Sequence, residues 1–161
     1  NWAGAGVCNN ISPNSCDIFG RLYNWVELTG GISSDLNPSG IRGICPNGWH
    51  MPSAAEWQEL INFAGGFDLA ANKLKGNSSF WINGNQGTDE YGFNALPAGE
   101  CSIDNIYDCV NQYFDANFWT SSNNSSSTKA QYLFMANGGY VGERDTNQED
   151  EFSCRCVKDK E

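Results

Sequence analysis

CPNGWHMPSAAEW, residues 45–57, sets a cysteine, a turn, an aromatic anchor and a helix start in one short run. Pro46-Asn47-Gly48 is turn chemistry, Trp49 is a large apolar anchor, and Pro52 ends whatever precedes it. Ser53 with Glu56 three residues later has the form of a capping box, in which each side chain satisfies a backbone donor at a helix start. Trp57, Leu60, Ile61 and Ala64 follow at helical spacing, and Gly65-Gly66 closes the run. The stretch specifies scaffold and by itself implies no chemistry.

Upstream, Gly20-Arg21-Leu22-Tyr23 reads as a short strand running into a helix capped by Asn24 with Glu27, and 29–43 as a Gly, Ser, Asn and Pro loop. Downstream, Lys73-Leu74-Lys75, Ser79 to Ile82 and Tyr91 to Leu96 read as strand fragments, with 83–87 as a turn. Phe118 to Ser122 and Gln131 to Met135 are stronger strands, separated by the polar segment 123–128. Asn137-Gly138-Gly139 predicts a hairpin turn into Tyr140-Val141. The acidic segment 143–151 then leads to a last strand, 152–157. Helices early and strands late predict an α+β fold, organised as one domain over 1–161.

Composition narrows the function classes. The chain has 161 residues, enough for one sizeable core, and aromatics at 13% favour strands and ordered loops over a helical bundle. No stretch approaches the roughly 20 apolar residues of a membrane span. A net charge of −10 disfavours nucleic acid and anionic membranes as partners, because both select clustered Lys and Arg.

Seven cysteines without a CxxC pair argue for an oxidising, extracellular setting. Cys8 and Cys16 bracket one polar loop and Cys101 and Cys109 another of the same length, so each pair can close its own hairpin. Cys154 and Cys156 lie two apart in the expected last strand, so only one of them comfortably reaches Cys45. The thiol left over reads first as a small buried hydrophobe, second as the source of an intermolecular disulfide, and last as a metal or redox group, which would need an exposed, electropositive setting.

GRLYNW at 20–25, CPNGWHMPSAAEW at 45–57, KLKG at 73–76, GTDEYGFNALPAG at 87–99, FWTSS at 118–122 and FSCRCVKD at 152–159 resemble, in order, the blocks of the FISUMP family, the Fibrobacter succinogenes major paralogous domain. The resemblance implies an extracellular bacterial module with a C-type lectin-like fold: two helices flanking a small twisted antiparallel sheet, with long loops and disulfide staples. It also implies the pair Cys45 with Cys156, leaving Cys154 as the unpaired thiol, and supports Cys8 with Cys16. Three departures stand out. The family's opening strand is expected before residue 1, the loop 29–43 is longer than usual, and Cys154 replaces a position that is usually aliphatic.

His50 is the sole histidine, so a Ser-His-Asp triad or a two-histidine metal site could be built only around it. Its place between Trp49 and Met51 predicts instead a structural ring bonded to loop backbone. Asp68, Asp89, Glu90 and Glu100 could supply a carboxylate pair for glycoside hydrolysis, but acids scattered across turns usually face solvent. The stretches 83–90 and 143–151 offer oxygen ligands without the regular positions of a calcium loop, and no sugar-binding calcium motif is present, so no cofactor is expected. The ligand-binding candidates are Asn123, Asn124, Tyr132, Tyr140 and Arg144, a mix of adaptable polar and rigid aromatic side chains. Two readings follow. One is a non-catalytic extracellular binding or adhesion module taking a surface polysaccharide or protein on its loop face; the other is a structural subunit of a surface filament completed by a strand from a partner chain.

Overall fold

The computed structural model describes residues 6–9, 11, 14–102, 109–123 and 128–160. A short helix α1 (Ser15–Phe19) leads through Gly20, at φ +80, into β1 (Leu22–Asn24) and directly into α2 (Trp25–Thr29). Asn24 caps α2 by accepting the Glu27 backbone N–H at 2.9 Å. A long loop then reaches β2 (Trp49–His50) and α3 (Ala54–Phe63). The capping box of α3 is complete: Ser53 Oγ accepts from Glu56 N at 3.3 Å, and Glu56 Oε2 accepts from Ser53 N at 3.0 Å. Gly65 and Gly66, at φ +104 and +82, take the left-handed conformations needed to reverse the chain into α4 (Phe67–Leu74).

The second half supplies most of the sheet: β3 (Glu100–Cys101), β4 (Cys109–Val110), β5 (Asp115–Trp119), β6 (Lys129–Ala136), β7 (Val141–Asn147), β8 (Glu151–Ser153) and β9 (Val157–Lys158). The main sheet runs β4-β3-β8-β5-β6-β7, with β1 also on β8, while β2 and β9 form a separate two-stranded sheet. Strand alternation sorts side chains to two faces. Ala116, Phe118, Leu133, Met135 and Val141 pack with Trp57, Ile61, Leu74 and Trp81 from the helices and the loop after α4. Trp119, Ala130, Tyr132, Phe134 and Phe152 pack on the other side with Trp25, Leu28 and Met51. Full burial of each large apolar side chain contributes roughly 1.5–3 kcal/mol. The buried indoles also need an acceptor. Trp25, Trp57, Trp81 and Trp119 donate to the carbonyls of Thr120, Trp119, Ala95 and Tyr23 respectively.

Several sequence expectations are corrected. The described residues hold four α-helices, not two, and the β5 to β8 pairing, Phe118 with Ser153, is parallel. Lys73 and Leu74 belong to α4, because Ala70, Ala71 and Leu74 give that segment a buried helical face. Residues 79–82 form no strand. Residues 91–96 contribute only one bridge, Lys75 with Ala95. The acidic segment is mostly strand β7, held against β6 in seven registered pairs from Lys129–Asn147 to Met135–Val141. The expected last strand is broken, since 154–156 lie between β8 and β9.

Three disulfides are formed, Cys8–Cys16, Cys45–Cys156 and Cys101–Cys109, and Cys154 is the free thiol. Cys45–Cys156 ties the turn before β2 to the chain after β8 across 111 residues. In the chain-entropy account, closing a loop of that length contributes on the order of 4–5 kcal/mol.

Candidate binding face on the sheet

The hairpin of β6 and β7 carries three of the five ligand-binding candidates, Tyr132, Tyr140 and Arg144. Arg144 lies in register with Tyr132, and Gly142 with Phe134. A Cβ at Gly142 would sit 3.0 Å from the Phe134 ring and 3.1 Å from the Tyr140 ring, so a bare backbone lets both rings close over the strand. The Phe134 and Tyr140 centroids are 5.4 Å apart, and the Arg144 guanidinium lies 4.2 Å over the Phe134 ring. Tyr140, at the hairpin turn, is 58% exposed. Phe134 is buried, so Arg144 and Tyr140 form the outer layer of this stack.

Tyr132 is placed differently from the sequence expectation. It is only 9% exposed, wedged 4.4 Å from Phe152 and 6.3 Å from Trp119, and acts as wall more than contact surface. Burial holds its phenol above the usual range, nearby Glu100 adding to that and Arg144 opposing it. Asn123 follows β5, at the end of the sheet where β6 begins, whereas Tyr140 lies where β6 ends, so the two do not share a patch. Asn124 lies outside the described residues.

The same sheet face carries carboxyl groups that the sequence reading did not combine. Glu100 accepts from the Asn111 and Asn117 side-chain amides at 3.3 and 3.2 Å. Asp150 accepts from the hydroxyls of Ser102 and Thr146. Glu100, Ser102, Thr146 and Asp150, with Tyr132 and Phe152, line a polar cavity of about 230 Å³. Burial pushes Glu100 up, with Asp115 and Asp150 adding to the shift. Burial also raises Asp115, against the Asn137 backbone, Arg144 and Lys75. Period-2 alternation back from Trp119 puts Asn117 and Asp115 on this face, and the strand starts at Asp115, three residues before the expected Phe118.

The remaining acidic candidates lie elsewhere. Asp68 is exposed on the first turn of α4, Asp89 accepts the Asn94 backbone N–H at 2.6 Å, and Glu90 pairs with Lys73 at 3.5 Å. The loop around them is spent on backbone pairing, with Thr88, Asp89 and Glu90 donating to the carbonyls of Asn72, Lys75 and Lys73.

His50 is held by carboxylates and not by loop backbone. Its Nδ1 is 2.6 Å from Asp159 and its Nε2 2.7 Å from Glu56, so both ring nitrogens are taken by acids. Burial depresses its pKa, but the hydrogen bonds from Glu56 and Asp159 outweigh that and the net shift is upward. Glu56 Oε2 also accepts from the Ser39 backbone, which makes one carboxylate the junction of helix cap, loop and histidine. A general base needs one ring nitrogen facing a nucleophile; this arrangement offers neither.

The sulfurs of Cys45, Cys154 and Cys156 lie within 4.8 Å of one another. Two of them are joined as a disulfide, so the group offers a single thiol. Cys154 Sγ packs 3.1 Å from Met51 Sδ, and burial pushes its pKa up to about 12. A thiol so rarely ionised is a poor nucleophile and a poor metal ligand.

A family model described as the Fibrobacter succinogenes major domain matches residues 3–158. No curated protein and no solved structure matches the chain.

Proposed function

We propose, from the premise that this chain belongs to the Fibrobacter succinogenes major domain family, that it is a non-catalytic extracellular binding module with a C-type lectin-like arrangement, taking a carbohydrate or protein ligand on the β6–β7 face. The observation that carries this reading is the exposed Tyr140 ring and the Arg144 guanidinium both layered on Phe134, beside a polar cavity edged by hydroxyl and carboxyl groups. A flat aromatic next to a fixed cation, with hydroxyl and carboxyl groups close by, suits ligands rich in hydroxyl or peptide groups. Three disulfides support an oxidising compartment. Among the described residues no helix is long and apolar enough to cross a membrane.

A strand donated by a partner chain is the weaker reading. At the long edge of the sheet, β7 presents Glu143, Arg144 and Asp145 in succession, and charged edges resist strand addition.

Glycan-array and surface-protein binding by the whole chain tests the proposal. Tyr140→Ala and Arg144→Ala are each expected to weaken binding by about 5- to 30-fold, the equivalent of 1–2 kcal/mol, with melting temperature retained. Equal binding by the parent and both variants would remove the ligand from this face. Turnover of a bound glycan would overturn the non-catalytic assignment.

A further inference from the structure

A second cavity, of about 330 Å³, opens beside the segment between β8 and β9. Its walls include Arg21, Asn94, Phe118, Ser153 and Arg155, and no Asp or Glu is among its lining residues. That is notable in a chain where acids outnumber Lys and Arg by 19 to 9. The Arg155 guanidinium lies 4.5 Å over the Phe93 ring and 5.8 Å over Phe118. Two aromatic rings therefore lie against the guanidinium. Among the described residues no oxygen accepts a hydrogen bond from it and no carboxylate pairs with it, although Asp89 acts on it at longer range.

An arginine carries five N–H donors in a fixed fork, and leaving such a group partly buried without acceptors costs free energy unless something else supplies them. Ser153 adds a second unanswered group: it is 8% exposed, lines the same cavity, and its hydroxyl makes no hydrogen bond to the described residues. Arg21 stands on the wall with its Nη1 donating to the Gly6 carbonyl at 2.7 Å, a second fixed positive charge. Phe19, Ile44, Leu96 and Phe118 supply apolar wall, so the ligand needs an uncharged body as well as an anionic head.

We propose that this cavity binds a small organic carboxylate of about the size of a hexuronic acid. The carboxylate accepts the paired N–H groups of Arg155, hydroxyls meet Ser153 and Asn94, and the C–H face of the ring lies against Phe118. A carboxylate fits the fork bidentately, and contact with Phe93 and Phe118 restricts the guanidinium before the ligand arrives. The volume lies at the small end of ligand pockets and suits one sugar ring. This site is built from residues other than those of the β6–β7 face, so each assignment stands or falls separately.

The test is NMR of the arginine Nε–Hε resonances of the full chain during titration with sodium D-glucuronate, D-glucose, sodium sulfate and sodium chloride, at ionic strength held near ~0.15 M. The expected result is a saturable shift of the Arg155 resonance with glucuronate and none with glucose or chloride. Arg155→Met is expected to lower glucuronate affinity, read by calorimetry, at least tenfold. Arg155→Lys should also weaken it, because lysine keeps the charge and loses the fork. Ser153→Ala provides a milder variant that leaves the ring stack intact, with an expected loss of about 3- to 10-fold. A shift that follows ionic strength alone, saturation by sulfate with glucuronate inactive, or unchanged affinity in both Arg155→Met and Ser153→Ala would overturn the proposal.

Discussion

Glu151 shows how burial turns a single residue into a pH-dependent weak point. Its backbone is fixed on β8 opposite Cys101 and Asn24, and its Oε2 is buried with no hydrogen-bond partner among the described residues. Burial, with Glu27 adding repulsion, raises its pKa from 4.5 to about 7. The folded state therefore binds a proton that the unfolded chain has released between those two values. The stabilisation this gives is complete below about pH 4.5 and is lost as pH rises through about 7. Glu151→Gln removes the ionisation while keeping the shape. It is expected to raise the melting temperature by a few degrees at pH 8 and to leave it unchanged at pH 4. A scan of melting temperature against pH checks this, and parallel curves for the two proteins would count against it. His50 works in the same direction by another route: its clamp by Glu56 and Asp159 is strongest when the ring is protonated, so its contribution also fades as pH rises through its raised pKa.

Among the elements, α3 depends most on its own sequence. Its cap, its first turn and its contact with the long loop all pass through the pair Ser53 and Glu56. Ser53→Ala removes the hydroxyl acceptor and leaves the Glu56 backbone N–H unanswered in a fully buried spot. A loss of about 1–2 kcal/mol is expected, or roughly 2–8 °C in melting temperature for a chain of this length. Ser53→Asp, which restores an acceptor, should recover part of it in denaturant titration; no recovery would mean that packing at this position, and not the cap, sets the stability. This helix was legible because capping and periodicity are local signals. So were the start of α2 at Asn24 and the hairpin turn at 137–139. Residues 73 and 74 read as strand because Lys73 and Lys75 flank Leu74, a pattern that also suits the end of an amphipathic helix, which is where they lie. Lys75 departs from both patterns: it is 2% exposed, with its ammonium 4.3 Å over Trp81 and reaching the carbonyls of Ala136 and Asn137. No local rule forecasts a buried lysine whose ammonium reaches carbonyls more than 60 positions away.

Across the whole molecule, what the sequence hid is what depends on long-range pairing. The carboxyl group of Glu100 meets Asn117 because Gly99 bridges Ala116 and β8 pairs with both β3 and β5, and Arg155 meets Phe93 and Phe118 only once helices and sheet have packed. The disulfides lie between these extremes. Cys8–Cys16 and Cys101–Cys109 close local loops, whereas Cys45–Cys156 joins the turn that starts β2 to the chain that follows β8. Removing it by Cys45→Ser with Cys156→Ser frees a closed loop of 111 residues in the unfolded state. The expected cost is about 2–5 kcal/mol, a fall of roughly 5–20 °C in melting temperature. Replacing both cysteines matters, since Cys45→Ser alone leaves the Cys156 thiol 3.9 Å from the Cys154 thiol, where an external oxidant could join the two. Cys154→Ser is the companion variant. Its thiol packs against Met51 and joins no covalent bond, so a much smaller loss is expected, with no change in the non-reducing mobility of the chain. Calorimetry on the three proteins separates these contributions. If the double variant melts within about 2 °C of the parent, less than the change expected from 1 kcal/mol, the ends of the fold are held by packing alone and the long disulfide is not its staple.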